Sequence, residues 1–302
     1  MTSAHSLINA TPIEKQNLYN KFEINEETQR LAYHYDVDSE FFIKVTGGAW
    51  NTYSCSIFKP GDSMTQAQER KLDIFAQLMG LSPGKRILDI GCGWGGPLTY
   101  LCHKYGVTGV GLTVTPAQIP YASTRAASYK VSADFIESHW ENFHDEKGFD
   151  AIFTDEVVVH VHNFNDFFKK CHSLLRPKGV VVNKELHLTQ ERFKDWSDGL
   201  GVHVNKVYGF TGNYRLLEEE IDFGLSNGFY LKNIVPVAMK HYQETVGNHW
   251  VKNLKWHESE LKRLTSEEHF NDFYKYLRCT MVSFRHDVFR QHMLVFQKNG
   301  ES

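Results

Sequence analysis

The chain lacks the cysteine spacing of a disulfide scaffold or a zinc site: its five cysteines, at 55, 92, 102, 171 and 279, are odd in number and form no CxxC pair. That usage points to a reducing compartment. There is no apolar run of membrane-spanning length and no leader-like start, so a cytoplasmic protein without stable membrane insertion is expected. Positive charge is not in surplus either. With 33 Lys and Arg against 36 Asp and Glu, the net charge of -3 removes the broad electrostatic argument for nucleic acid. Repeats and low-complexity segments are missing. What remains is a 302-residue chain long enough for one large domain or two small ones, with 14% aromatic residues. That aromatic share suits a rigid core or an aromatic-walled pocket for a small hydrophobic substrate. Composition leaves a homo-oligomer open.

The most informative stretch is Ile87-Leu88-Asp89-Ile90-Gly91-Cys92-Gly93-Trp94-Gly95-Gly96, an apolar run that meets an acid and then breaks into four glycines. It reads as a strand feeding a tight turn, with Pro97 opening a helix, where bare backbone can approach a ligand. The dinucleotide form of this corner wants G-x-G-x-x-G and an acid about 20 residues on. Here the run is G-x-G-x-G-G, and the next strand, Gly109 to Thr113, ends without an acid. The segment Asp89 to Gly96 resembles motif I of class I S-adenosylmethionine-dependent methyltransferases, which implies that cofactor and no metal for the transfer step.

Strands are expected at 86–91, 107–112, 132–137, 149–154 and 179–184, and helices at 96–105, 116–129 and 163–175. The alternation predicts an α/β fold with a parallel sheet covered by helices, and the methyltransferase resemblance implies a Rossmann-like methyltransferase fold, a mostly parallel seven-stranded sheet flanked by helices. Residues 1–80 read as an N-terminal helical lid, 81–187 as the cofactor-binding core and 188–240 as a substrate cap and return to the core. Residues 241–302 read as C-terminal helices and the last strands of the core. Trp196, Tyr208, Phe210, Tyr214 and Phe223 punctuate the expected cap.

A second set of motifs sharpens the likeness. Tyr53-Ser54-Cys55-Ser56-Ile57-Phe58, Met64-Thr65-Gln66, Trp140-Glu141-Asn142-Phe143, His241-Tyr242 and Tyr274-Lys275-Tyr276-Leu277 together resemble the cyclopropane fatty acid and mycolic acid cyclopropane synthases over most of the chain. The resemblance implies a cofactor site formed by Tyr53, Ser54, Asp89, Gly91, Gly93, Leu112, Thr113, Gln118, Trp140 and Glu141. It also implies a bicarbonate base, held in that family by a Glu-His pair after the fourth strand, a His on the fifth, and residues standing at Cys55 and Tyr242. Here the pair reads Val159-His160 and the fifth-strand position is assigned to Asn183, which puts bicarbonate in doubt.

An acid reappears at Glu156, and Asp155 to Val161 partly resembles the Asn-Glu-Ser-Thr-Met-Tyr-Val stretch of geranyl diphosphate C-methyltransferases, whose Glu is the base. The expectation is methylation of a C=C bond in a prenyl diphosphate, another isoprenoid or an unsaturated lipid. Aromatic faces would stabilise the carbocation, and Glu156, among the apolar Val157 to Val159, would remove a proton. Tyr242, His160 and Tyr53 are the other candidate catalytic residues. A diphosphate would need cations, for which Lys184, Arg192, Lys194, Lys206 and Arg215 are candidates, and only then magnesium. The alternatives are an amine N-methyltransferase, a cyclopropane-forming lipid synthase and a non-catalytic cofactor binder.

Overall fold

The computed structural model describes residues 23–35, 37–190 and 213–300. Among the described residues, eight strands form one sheet: β1 (Arg86–Ile90), β2 (Thr108–Thr113), β3 (Ala133–Glu137), β4 (Phe149–Asp155), β5 (Leu175–Leu188), β6 (Arg215–Leu216), β7 (Phe229–Val237) and β8 (Phe289–Lys298). Their order is β3-β2-β1-β4-β5-β8-β7, with the two-residue β6 beside β5. The strands from β1 to β6 pair in parallel, and β8 runs antiparallel to both β5 and β7. This is the expected Rossmann-like methyltransferase fold.

Helices α1 (Ile24–Tyr35), α2 (Ser39–Thr46) and α3 (Met64–Met79) precede the sheet; α4 (Gly96–Tyr105), α5 (Ile119–Tyr129) and α6 (Phe164–Leu174) cover it between strands; α7 (Leu217–Ser226) leads into β7. A helical run follows, from α8 (Met239–Tyr242) through a π-helical stretch (Gln243–Trp250) to α9 (Val251–Trp256), then α10 (Glu258–Leu264) and α11 (Glu267–Arg285). Part of the expected cap, residues 191–212 with Trp196, Tyr208 and Phe210, lies outside the described residues, as do Arg192, Lys194 and Lys206.

The local reasons for α3 are plain. Ser63 and Gln66 form a reciprocal capping box at its start, and Gly80 ends it in the left-handed region at φ +60°. Its buried face carries Leu72, Phe75, Ala76 and Met79, which join Ile87, Phe153 and Val182 in one core. That face also buries Lys71. A charge among apolar neighbours requires a partner, and the partner lies in the site.

Strand β5 runs four residues beyond its expected end, because Val180 to Leu188 pair with Gln297 to Phe289 of β8. Backbone pairing with a distant strand carries Lys184, Glu185 and His187 inside the sheet despite their polarity.

Candidate active site

The glycine corner forms because the Leu112 carbonyl accepts both the Gly91 and Cys92 N–H groups, each at 2.9 Å, turning the chain back from β1. Gly91 and Gly93 take φ of +82° and +52°, where a side chain is disfavoured. A Cβ on Gly91 would strike Val157 at 2.5 Å, whereas Gly93 faces open space. That open space belongs to a cavity of about 1000 Å³, its mouth included, at the carboxyl ends of β1, β2 and β4. Tyr53, Ser54, Asp89, Gly91, Gly93, Leu112, Thr113, Gln118, Trp140, Glu156 and His160 all line it.

Helix α1 closes one side through Glu27, Leu31 and Tyr35. Glu27 is buried and clasped by two histidines, His139 at 3.3 Å and His162 at a short contact. Burial alone would push the Glu27 carboxyl up, but the bonds from His139 and His162 bring it below the usual range. His162 moves the other way: burial opposes its charge, and Glu27 lifts its pKa above the usual histidine value. His160 is pulled down to about 4, chiefly by burial, so it is a neutral imidazole near pH 7.

A buried charge network sits beneath the cavity. Lys71 places its ammonium 2.6 Å from Asp155 and donates to Ser54 Oγ at 2.7 Å, and Ser54 donates to Asp155 at 2.7 Å. Lys184 donates to the other Asp155 oxygen at 2.9 Å and to Glu156 Oε1 at 2.5 Å. Burial would raise the Asp155 carboxyl, yet Lys184 and Lys71 overcome it and hold the group down to about 2. Glu156 Oε1 also accepts from the Cys55 backbone N–H at 2.8 Å and from Gln291 Nε2 at 2.6 Å. The Glu156 backbone stands at φ +61°, a conformation that costs a non-glycine residue about 1–3 kcal/mol. Its surroundings are therefore cationic and polar, not the apolar Val157–Val159 setting that sequence position suggests.

Four further groups of expected residues are placed as follows. Asn183 does not stand at the site: it accepts from Thr154 at 3.0 Å and donates to Glu220 at 2.9 Å, while Lys184, one residue on, meets Asp155 and Glu156. Adjacent strand residues point to opposite faces, so a one-residue difference in assignment decides which side chain reaches the site. Glu141 is not among the cavity-lining residues and pairs with His162 at 3.3 Å. Tyr242 is also outside the lining, its ring 3.9 Å from that of Phe284, although Glu156 and Glu185 are among the charges that, after burial, raise its hydroxyl pKa. Finally, two cations proposed for a diphosphate are engaged elsewhere, Lys184 by the carboxylates and Arg215 by the Val158, Val161 and Asn213 carbonyls. No group of three or more His, Cys, Asp or Glu among the described residues could hold a metal ion.

Sequence reading missed Lys71, Gln291 and Glu27. The buried face of α3 carried a signal for Lys71, but Gln291 and Glu27 lie far along the chain from the groups they contact. Glu185, buried on β5, is pushed up to about 8 by burial and by the charges of Glu156 and Glu220, against the Leu186 and Val159 N–H groups bonded to it.

The cavity suits a ligand that carries polar groups. Asp89 Oδ2, Thr52 Oγ1 and Trp140 Nε1 are buried there without a partner among the described residues, which a polar ligand would supply. Burial, with the charge of Asp155, pushes the Asp89 carboxyl well above the usual range.

The family model for mycolic acid cyclopropane synthetase matches residues 22–294. A hydroxymycolate synthase of Mycobacterium tuberculosis is 27% identical over 281 residues, covering 88% of this chain and 91% of that protein. A cyclopropane mycolic acid synthase of the same organism is 29% identical, covering 83% and 91%. Among solved structures, the cyclopropane synthase MmaA2 of M. tuberculosis aligns with a TM-score of 0.81 at 26% identity, over 90% of this chain and 98% of that one. A mycolic acid cyclopropane synthase solved with SAH and CTAB aligns at 0.82 and 24% identity, with the same coverage.

Proposed function

This chain belongs to the mycolic acid cyclopropane synthetase family, and on that footing we propose that it methylates a double-bond carbon of an unsaturated acyl lipid, with Glu156 as the base that completes the reaction. It is an S-adenosylmethionine-dependent methyltransferase. Bound in the cavity, that cofactor supplies a methyl group made electrophilic by a positive sulfur. Asp89, Gly91, Gly93, Thr113, Gln118 and Trp140 would hold it, with Tyr53 and Ser54 closing over it.

The observation that carries the reading is the state of Glu156. Its Oε1 takes three donors, and among the described residues every hydrogen bond to its side chain goes to that oxygen. Oε2 is left to the cavity that Glu156 lines, aimed by the bonds on its twin. Tyr35, Tyr53 and Trp94 line the same cavity, and their ring faces would stabilise positive charge on the substrate by about 2 kcal/mol or more once water is excluded. Glu156 would then accept one proton. Loss from the new methyl closes a ring, and loss from a neighbouring carbon leaves a methylated alkene.

An acyl substrate is favoured over a prenyl diphosphate because the relatives are named for mycolic acids and because Lys184 and Arg215 are already engaged. The deciding experiment incubates the protein with methyl-labelled S-adenosylmethionine and, in parallel, unsaturated phospholipids, prenyl diphosphates and amines. Label appearing in the lipid with a gain of one methylene supports the proposal. Label only in the diphosphate or the amine overturns it.

A further inference from the structure

Glu156 combines two features: a carboxylate oxygen held by three donors, and a backbone in the left-handed region that glycine adopts freely. The donors come from three separate parts of the fold. The Cys55 N–H lies in the segment between α2 and α3, Lys184 on β5 and Gln291 on β8. The Glu156 backbone N–H donates to the Lys184 carbonyl at 2.8 Å, a bond that a glycine at this position keeps. Lys184 is also fixed by Asp155 at 2.9 Å, and Gln291 sits opposite Leu186 in the β5–β8 ladder. Lys184 and Gln291 are both buried. An ammonium, an amide and a backbone N–H converging on one oxygen make an anion-binding constellation.

We propose that the Cys55 N–H, Lys184 and Gln291 form a small-carboxylate site that the protein fills with its own Glu156 side chain, and that these three groups are the positioning elements that aim it. The inference rests on the reading of Glu156 as the base. It adds that the base is a removable occupant of a site the rest of the fold builds. Glycine at position 156 would relieve the backbone strain, leave the three donors in place and open a space the size of a free carboxylate. Formate is the smallest ligand that reproduces the lost group, and it would take over both the bonds and the proton acceptance.

The test compares wild type, Glu156→Gly and Glu156→Gly with Gln291→Leu, each in sodium formate and in sodium chloride at equal ionic strength. In the glycine variant, formate should give a saturable rise in melting temperature of about 2–4 °C over chloride. Wild type, whose site is filled, should show no difference. Adding Gln291→Leu should weaken formate binding about tenfold, the loss of one hydrogen bond to a charged group. Turnover on the lipid that accepts the labelled methyl should fall in the glycine variant and recover in part with formate. Cofactor binding by each variant reports folding, and Glu156→Ala repeats the comparison should glycine not fold. A folded glycine or alanine variant that does not distinguish formate from chloride overturns the site. Formate binding without recovery of turnover upholds the site and overturns Glu156 as base.

Discussion

Lys71 and Asp155, from a helix before the sheet and the end of its fourth strand, meet at 2.6 Å with Lys71 fully buried and Asp155 nearly so. Lys71→Met would leave Asp155 facing Asp89 with only Lys184 to balance it. Removing one partner of a buried pair leaves an uncompensated charge, so urea unfolding should show a loss of about 3 kcal/mol. The Asp155 carboxyl, held down to about 2, contributes stability that is present above the ordinary aspartate range and lost as pH falls through about 2. Across pH 5–8 the wild-type contribution should therefore be constant.

Glu156→Gln keeps shape and hydrogen-bonding capacity while removing proton acceptance. Turnover should drop by at least about a hundredfold with cofactor affinity unchanged, checked by methyl-transfer assay and calorimetry. Normal turnover would sink the base assignment.

Bicarbonate restored to a carefully degassed assay should not stimulate the wild-type protein. Cys55 N–H already donates to Glu156, Lys184 and Gln291 bind the same oxygen, and Asn183 is bonded to Thr154 and Glu220. A clear stimulation would show that a free anion reaches the site.

Asp89→Asn separates binding from stability. The Asp89 carboxyl is raised by burial first and by Asp155 second, so its contribution favours folding below the ordinary aspartate pKa and is lost as pH rises through the folded value. At neutral pH the amide variant should melt higher, by about 1–3 kcal/mol of stability, while binding S-adenosylmethionine at least about tenfold more weakly. Parallel melting and calorimetry read both effects.

Glu27→Ala removes the clasp between α1 and the two histidines, His139 and His162. Release of S-adenosylhomocysteine should quicken about tenfold. In the wild type, the raised His162 keeps the clasp charged below the ordinary histidine pKa and loses it as pH rises through the folded value. Stopped-flow release should accelerate over that alkaline interval in wild type and stay flat in Glu27→Ala.

Local physics was enough for the corner at Gly91 and Gly93, because a turn at positive φ can be read from glycine itself, and for the alternation of strands and helices, because burial of one face imposes a period on the chain. It was enough also to single out Glu156 as a candidate, an acid just past a strand end in a stretch that partly resembles geranyl diphosphate C-methyltransferases. Tertiary structure decided what surrounds that acid. Whether Asn183 or Lys184 meets it depended on which face of β5 turns to the site, and the length of β5 depended on pairing with β8. Gln291 and Glu27 became site residues only when distant segments closed on the same cavity. A one-residue step on a strand reverses a side chain's direction, and contacts between remote segments leave no periodic trace, so neither could be read along the chain.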